Sequence, residues 1–120
     1  MNEDHPPLNL LGRDCFVVWS TPAPGVTRED VGSHLDDHLA WLRSLEVDGT
    51  LIMSGPMIDE APGTGLTVLR APDDETAEAV MAGDPFVIAG LRTAGVHRWR
   101  VNEGTVGITV SLATGTFEWR

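Results

Sequence analysis

Val31, Leu35, Leu39, Leu42 and Leu45 recur at steps of three and four, and that spacing leaves this chain few ways to fold. It puts all five side chains on one side of an α-helix from about 28 to 48, and such a stripe has to be covered by another layer. Thr27 with Asp30 three residues later forms a capping-box pattern. Glu29 and Asp30 complement the positive end of the helix dipole, and Asp48-Gly49 supplies the stop. At 120 residues there is room for one domain with one core, so neighbouring segments must provide the cover.

Those segments read as strands. Cys15 to Trp19 is a short run rich in valine and aromatics, closed by Ser20-Thr21-Pro22. Thr50 to Met53 gives a second strand, with Ser54-Gly55-Pro56 expected to turn the chain, and Leu66 to Arg70 a third, so that this pair forms a hairpin with a long connection. Pro72-Asp73-Asp74-Glu75 opens a second helix that buries Ala77, Val80 and Met81 and stops at Gly83. Phe86 to Leu91 makes one more helical turn, and Val96 to Val101 alternates as a fourth strand. The order is βαββαβ, a ferredoxin-like antiparallel sheet with its helices on one face. Residues 1–14 read as an N-terminal arm, 15–101 as the α+β domain, and 102–120 as an extension in which Ile108, Val110, Phe117 and Trp119 pattern a β-hairpin. Apolar residues on both sides of the strands point to a homodimer through the open sheet face.

Composition narrows the chemistry. Eighteen acids against eight bases give a formal charge of −10, which opposes binding to nucleic acid or to an anionic membrane surface. All eight bases are arginine, excluding Schiff-base and Walker-type lysine chemistry. Cys15 is the only cysteine, so no internal disulfide forms, and its apolar neighbours mark it as core filler. No apolar run approaches the roughly 20 residues of a membrane span, and Met1-Asn2-Glu3-Asp4 lacks the start of a secretory signal. The expected location is the cytoplasm. No Gly-x-Gly-x-x-Gly fingerprint is present and no cofactor is expected.

The segments His38-Leu39-Ala40-Trp41-Leu42, Ser54-Gly55-Pro56, Asp84-Pro85-Phe86 and Ala89-Gly90-Leu91, taken in this order and at these separations, resemble the YciI family (YCII-related domain) over about residues 16 to 101. The resemblance implies a dimeric α+β barrel of ferredoxin-like protomers with a histidine and an aspartate as an active-site pair, roles that fall on His38 and Asp84. One activity known in the family is dechlorination of a chlorinated hydroxyquinol. The N-terminal arm and C-terminal hairpin are additions to the short form of the family.

The residues support the same pair chemically. A carboxylate bonded to one imidazole nitrogen fixes the tautomer and leaves the other nitrogen as a general base or acid. Taken alone, His38 also reads as a histidine capping the core edge, and Asp84 as a helix cap before Pro85. Ser54 is a candidate donor to a substrate oxygen, Gly55 lets a ligand approach the backbone, and Phe86, Met53 and Trp41 are candidates for an apolar pocket wall. Arg98 and Arg100 are candidates for a carboxylate or phenolate substrate. His34 and His38, four apart, share a helix face, but the glutamate of zincin-type motifs is absent and no metal site is expected. The sequence thus points to a small organic substrate and acid/base proton transfer of lyase, isomerase or dehydrochlorinase type. The alternative is a non-catalytic small-ligand-binding or accessory module of the same fold.

Overall fold

The computed structural model describes residues 13–119. These fall into two compact units, one of Asp14–Arg100 and one that contains the chain from Val101 onward. The elements in order are β1 (Arg13–Pro22), α1 (Arg28–Ser33), α2 (Leu35–Val47), β2 (Leu51–Pro56), β3 (Gly65–Leu69), α3 (Asp74–Met81), α4 (Pro85–Ile88), β4 (Arg92–Val101), β5 (Ile108–Ser111) and β6 (Thr116–Trp119). The N-terminal arm lies outside the described residues except for Arg13 and Asp14, which begin β1.

Four strands form one sheet in the order β2-β3-β1-β4, with β3 antiparallel to both of its neighbours. This is the mixed α+β arrangement that the βαββαβ order predicts. Phe16, Val18 and Ser20 stand opposite Leu69, Thr67 and Gly65, and all six are buried. Side chains alternate along a strand, so this row forms the helix-side face of the sheet. Phe16, Val18 and Leu69 pack there with Leu45 of α2 and Ala77 and Met81 of α3, and Trp41, Leu51, Ala94 and Val96 close the margins of the core. Cys15 is buried as well; burial, with help from the charge of Asp14, raises its thiol pKa, in keeping with an inert filler.

Three expectations change. The long helix breaks at His34, whose φ of −113° and ψ of 4° end α1 and begin α2. The capping box of Thr27 and Asp30 is present at the start of α1, but the helix behind it is only six residues long. The break moves the phase of the stripe: Leu35 and Leu39 are 39% and 41% exposed, whereas His38 is buried. Next, Ser54-Gly55-Pro56 does not turn the chain but continues β2, pairing with Thr67, Leu66 and Gly65 after a register irregularity between Leu51 and Met53. Finally, β4 begins at Arg92, four residues before the alternation at Val96 announced it.

The second unit holds the predicted hairpin, in which Val110 pairs with Phe117 and Ile108 with Trp119. Within the first unit, Leu69 is fully buried at the centre of the sheet. Leu69→Ala should therefore cost about 2–5 kcal/mol in a denaturant titration, the range for a large-to-small change at a packed site, with an unchanged m-value if the native fold is kept.

Candidate functional site

Asp84 is the N-cap of α4. Its Oδ1 accepts the Phe86 amide at 3.0 Å, and Pro85 occupies the first helical turn, where a missing amide proton costs nothing. The same oxygen accepts from Nδ1 of His38 at 2.8 Å. The other carboxylate oxygen, Oδ2, accepts from Nε and Nη2 of Arg92 at 3.1 and 2.7 Å. Four donors thus meet the four lone-pair sites of one carboxylate. Asp84 is 0% exposed, and His38 and Arg92 are each 8% exposed.

Burial alone would push the Asp84 carboxyl up. The hydrogen bond from His38, the charge of Arg92 and the Phe86 amide outweigh it and hold the carboxyl below its ordinary value. An ionised carboxylate only accepts, which makes Nδ1 of His38 the donor, so in the neutral imidazole the lone pair is on Nε2. Among the described residues Nε2 has no hydrogen-bond partner, and His38 lines a pocket. The imidazole stacks on the Phe86 ring with centroids 4.2 Å apart, and the Arg92 guanidinium lies 4.9 Å from the centroid of that ring.

The pocket has a volume of about 160 Å³. Its helix side is apolar, built from Val31, Leu35, Leu39 and Leu42, so the leucines that the helix break leaves exposed become its wall. Its sheet side is polar, with Ser54, Thr67 and Arg92 beside the backbone of Gly55 and Gly65. A side chain at Gly65 would press the Gly55 carbonyl at 3.2 Å and approach Nη1 of Arg92 at 3.8 Å, which is why glycine stands there.

His38, Asp84, Ser54, Gly55 and Phe86 are therefore brought to one place, with Asp84 beneath the surface and the other four on it. Two expected wall residues are not. Met53 pairs with Val68, one strand position away from Ser54 and so on the opposite sheet face, and it does not line the pocket. The register irregularity between Leu51 and Met53 shifts the alternation of β2, so that Ser54 follows Leu51 onto the helix-side face and lines the pocket in place of Met53. Trp41, one turn beyond His38, packs against the core instead, with its ring centroid 5.9 Å from the imidazole. Arg98 and Arg100 are engaged by acids, Asp74 and Asp14 respectively, and line no part of this pocket. His34 bonds to Ser33 and the Asp30 carbonyl, and no group of three metal-ligating side chains lies among the described residues. Sequence reasoning missed Arg92. The available signal was alternation: carried two steps back from Val96, the inward positions are Ala94 and Arg92.

A depressed carboxyl pKa stabilises the native state above the unfolded value of about 3.9, and that stabilisation is lost as pH falls through the lower, folded value. Asp84→Asn orphans the buried Arg92 charge and should cost about 3–5 kcal/mol at neutral pH. The stability gap between Asp84→Asn and the parent chain should narrow as pH falls through this window, because the variant has no such carboxylate to protonate. Melting curves collected from neutral to acid pH measure both effects.

Among the described residues, no helix is long and apolar enough to cross a membrane. A search of curated proteins found no match. Among solved structures, the chain is similar to 5-chloro-2-hydroxyhydroquinone dehydrochlorinase from Burkholderia phenoliruptrix AC1100 in complex with 2,5-dihydroxybenzoquinone. The TM-score is 0.59 at 20% identity, over 75% of this chain and 95% of that one, a likeness that establishes the shared fold. The sequence pattern of the YCII-related domain matches residues 15–100, the whole unit that carries the sheet, the helices and the His38–Asp84–Arg92 cluster. The chain belongs to the YCII-related domain family.

Proposed function

We propose that the pocket binds a small organic molecule and that His38 and Asp84 carry out acid/base proton transfer on it, in a lyase, isomerase or dehydrochlorinase type of reaction. The observation that carries this reading is the 2.8 Å bond from Nδ1 of His38 to a fully buried carboxylate, at the wall of an apolar pocket. In this arrangement Asp84 holds the tautomer and stabilises the imidazolium, and Nε2 takes the proton from the substrate and returns it to a leaving group or a neighbouring atom. The small aromatic-sized ligand in the dehydrochlorinase structure supports a ligand of similar scale here.

Asp84 also caps α4 and neutralises Arg92, a structural role that favours the second reading, a module that binds a small ligand without turning it over. The open sheet face bears Trp19, Met53 and Trp99, all exposed, which supports a second copy of the chain as its cover. Light scattering should then return about twice the 12.9 kDa chain mass.

His38→Asn separates the two functional readings, because its amide still donates to Asp84 but offers no base. If His38 is the proton carrier, turnover of a substrate found by screening small phenols, lactones and carboxylic acids should fall about 10²–10⁴-fold in this variant. The melting temperature and the ligand-induced thermal shift should stay close to those of the parent. His34→Ala should leave all three nearly unchanged. Retention of turnover by His38→Asn would remove the catalytic assignment, and ligand-induced thermal shifts of the parent chain without turnover of any of those ligands would favour the binding module.

A further inference from the structure

Arg92 does more than neutralise Asp84. A guanidinium carries five N–H donors. Nε and Nη2 each give one to Asp84, and Nη1 gives one to the Gly63 carbonyl at 3.3 Å. Two protons, one on Nη1 and one on Nη2, have no acceptor among the described residues. Arg92 lines the pocket together with His38, Ser54 and Thr67, whereas Asp84 does not. Of the ion pair, therefore, only the cationic partner contributes to the pocket wall, and its Nη1 lies 3.8 Å from where a Cβ on Gly65, another wall residue, would sit. Among the described residues, His38 and Arg92 are the only ionisable side chains on the pocket wall. The other carboxylates nearest them in sequence, Asp36 and Asp37 on α2, are exposed and line no part of it.

We infer that Arg92 is a second catalytic residue, whose free N–H groups bind the oxyanion that forms when His38 removes a proton from a neutral, weakly acidic ligand. The inference rests on the reading of the cavity as a small-ligand site. The step balances within the pocket. The X–H bond breaks, its proton passes to Nε2 of His38, and its electron pair remains on the ligand, delocalised onto an oxygen. A neutral pocket and a neutral ligand become an imidazolium and an oxyanion. Asp84 faces the first and Arg92 the second, so each new charge arises beside a fixed opposite charge that needs no reorganisation. The ligands selected are those that enter uncharged and hold negative charge on oxygen after losing one proton. The leucine wall admits the neutral form, and the two hydroxyls of Ser54 and Thr67 flank the same polar side.

Para-nitrophenol tests this directly, since its acid is colourless and its anion yellow. Titrated into the parent chain at a pH well below its own midpoint, it should turn yellow on binding, with its ionisation midpoint lowered by about one to three units, the range for an acid beside a guanidinium. Arg92→Lys, which keeps the charge, should retain most of the shift. Arg92→Met should bind the colourless form only. If Arg92→Met fails to fold because Asp84 is left unpaired, the double variant Arg92→Met with Asp84→Asn removes both charges and should likewise bind without colour. Binding to the parent without a shift, or a shift that survives Arg92→Met or the double variant, overturns the assignment and leaves the pocket as a ligand site. A shift abolished by His38→Asn yet intact in Arg92→Met also overturns it, since the imidazole alone would then be responsible. If calorimetry detects no binding of the probe to the parent, both the assignment and the small-ligand reading of the cavity fall.

Discussion

One buried carboxylate organises this domain. Asp84 joins three elements: α2, 46 residues away, through His38, the start of α4 through the Phe86 amide, and the head of β4 through Arg92. An unpaired carboxylate at this depth would be prohibitively costly, and a singly paired one still expensive. With four donors the group is satisfied, and each donor is fixed in return. The imidazole is further held by stacking on Phe86, so the cluster is rigid before any ligand arrives.

This arrangement ties stability and chemistry to the same atoms. A carboxylate that only oriented a histidine would leave its second oxygen to solvent. Here that oxygen is taken by a guanidinium, and the pair carries no net charge into the interior. A chain with a formal charge of −10 thus has a pocket wall whose charged member is an arginine.

The sequence made the architecture legible because strand and helix periods are properties of side-chain spacing. The βαββαβ order, the capping box at Thr27 and the contact between His38 and Asp84 all rest on such local signals or on the family resemblance they carry. What escaped was set by tertiary context. Gly32-Ser33 marks the break at His34, but the leucine spacing continues across it and outweighed that signal; the break leaves Leu35 and Leu39 exposed and His38 buried. Ser54-Gly55-Pro56 has turn composition, but cross-strand pairing with Thr67, Leu66 and Gly65 holds it extended. Arg92 was not singled out, because the burial of an arginine depends on a partner, here a carboxylate eight residues away.

The close contact at Gly65 has a corollary for the shape of the pocket. The strand floor of the pocket cannot accept a larger residue at that position without pushing on the Gly55 backbone, and the ion pair fixes the end of the cavity beside it. The opposite wall is under no such restriction, since Leu35 and Leu39 stand on a helix surface that is already partly open to water. Substitutions at Leu35 or Leu39 would therefore reshape the pocket from one helix without disturbing the His38–Asp84–Arg92 cluster at its other end.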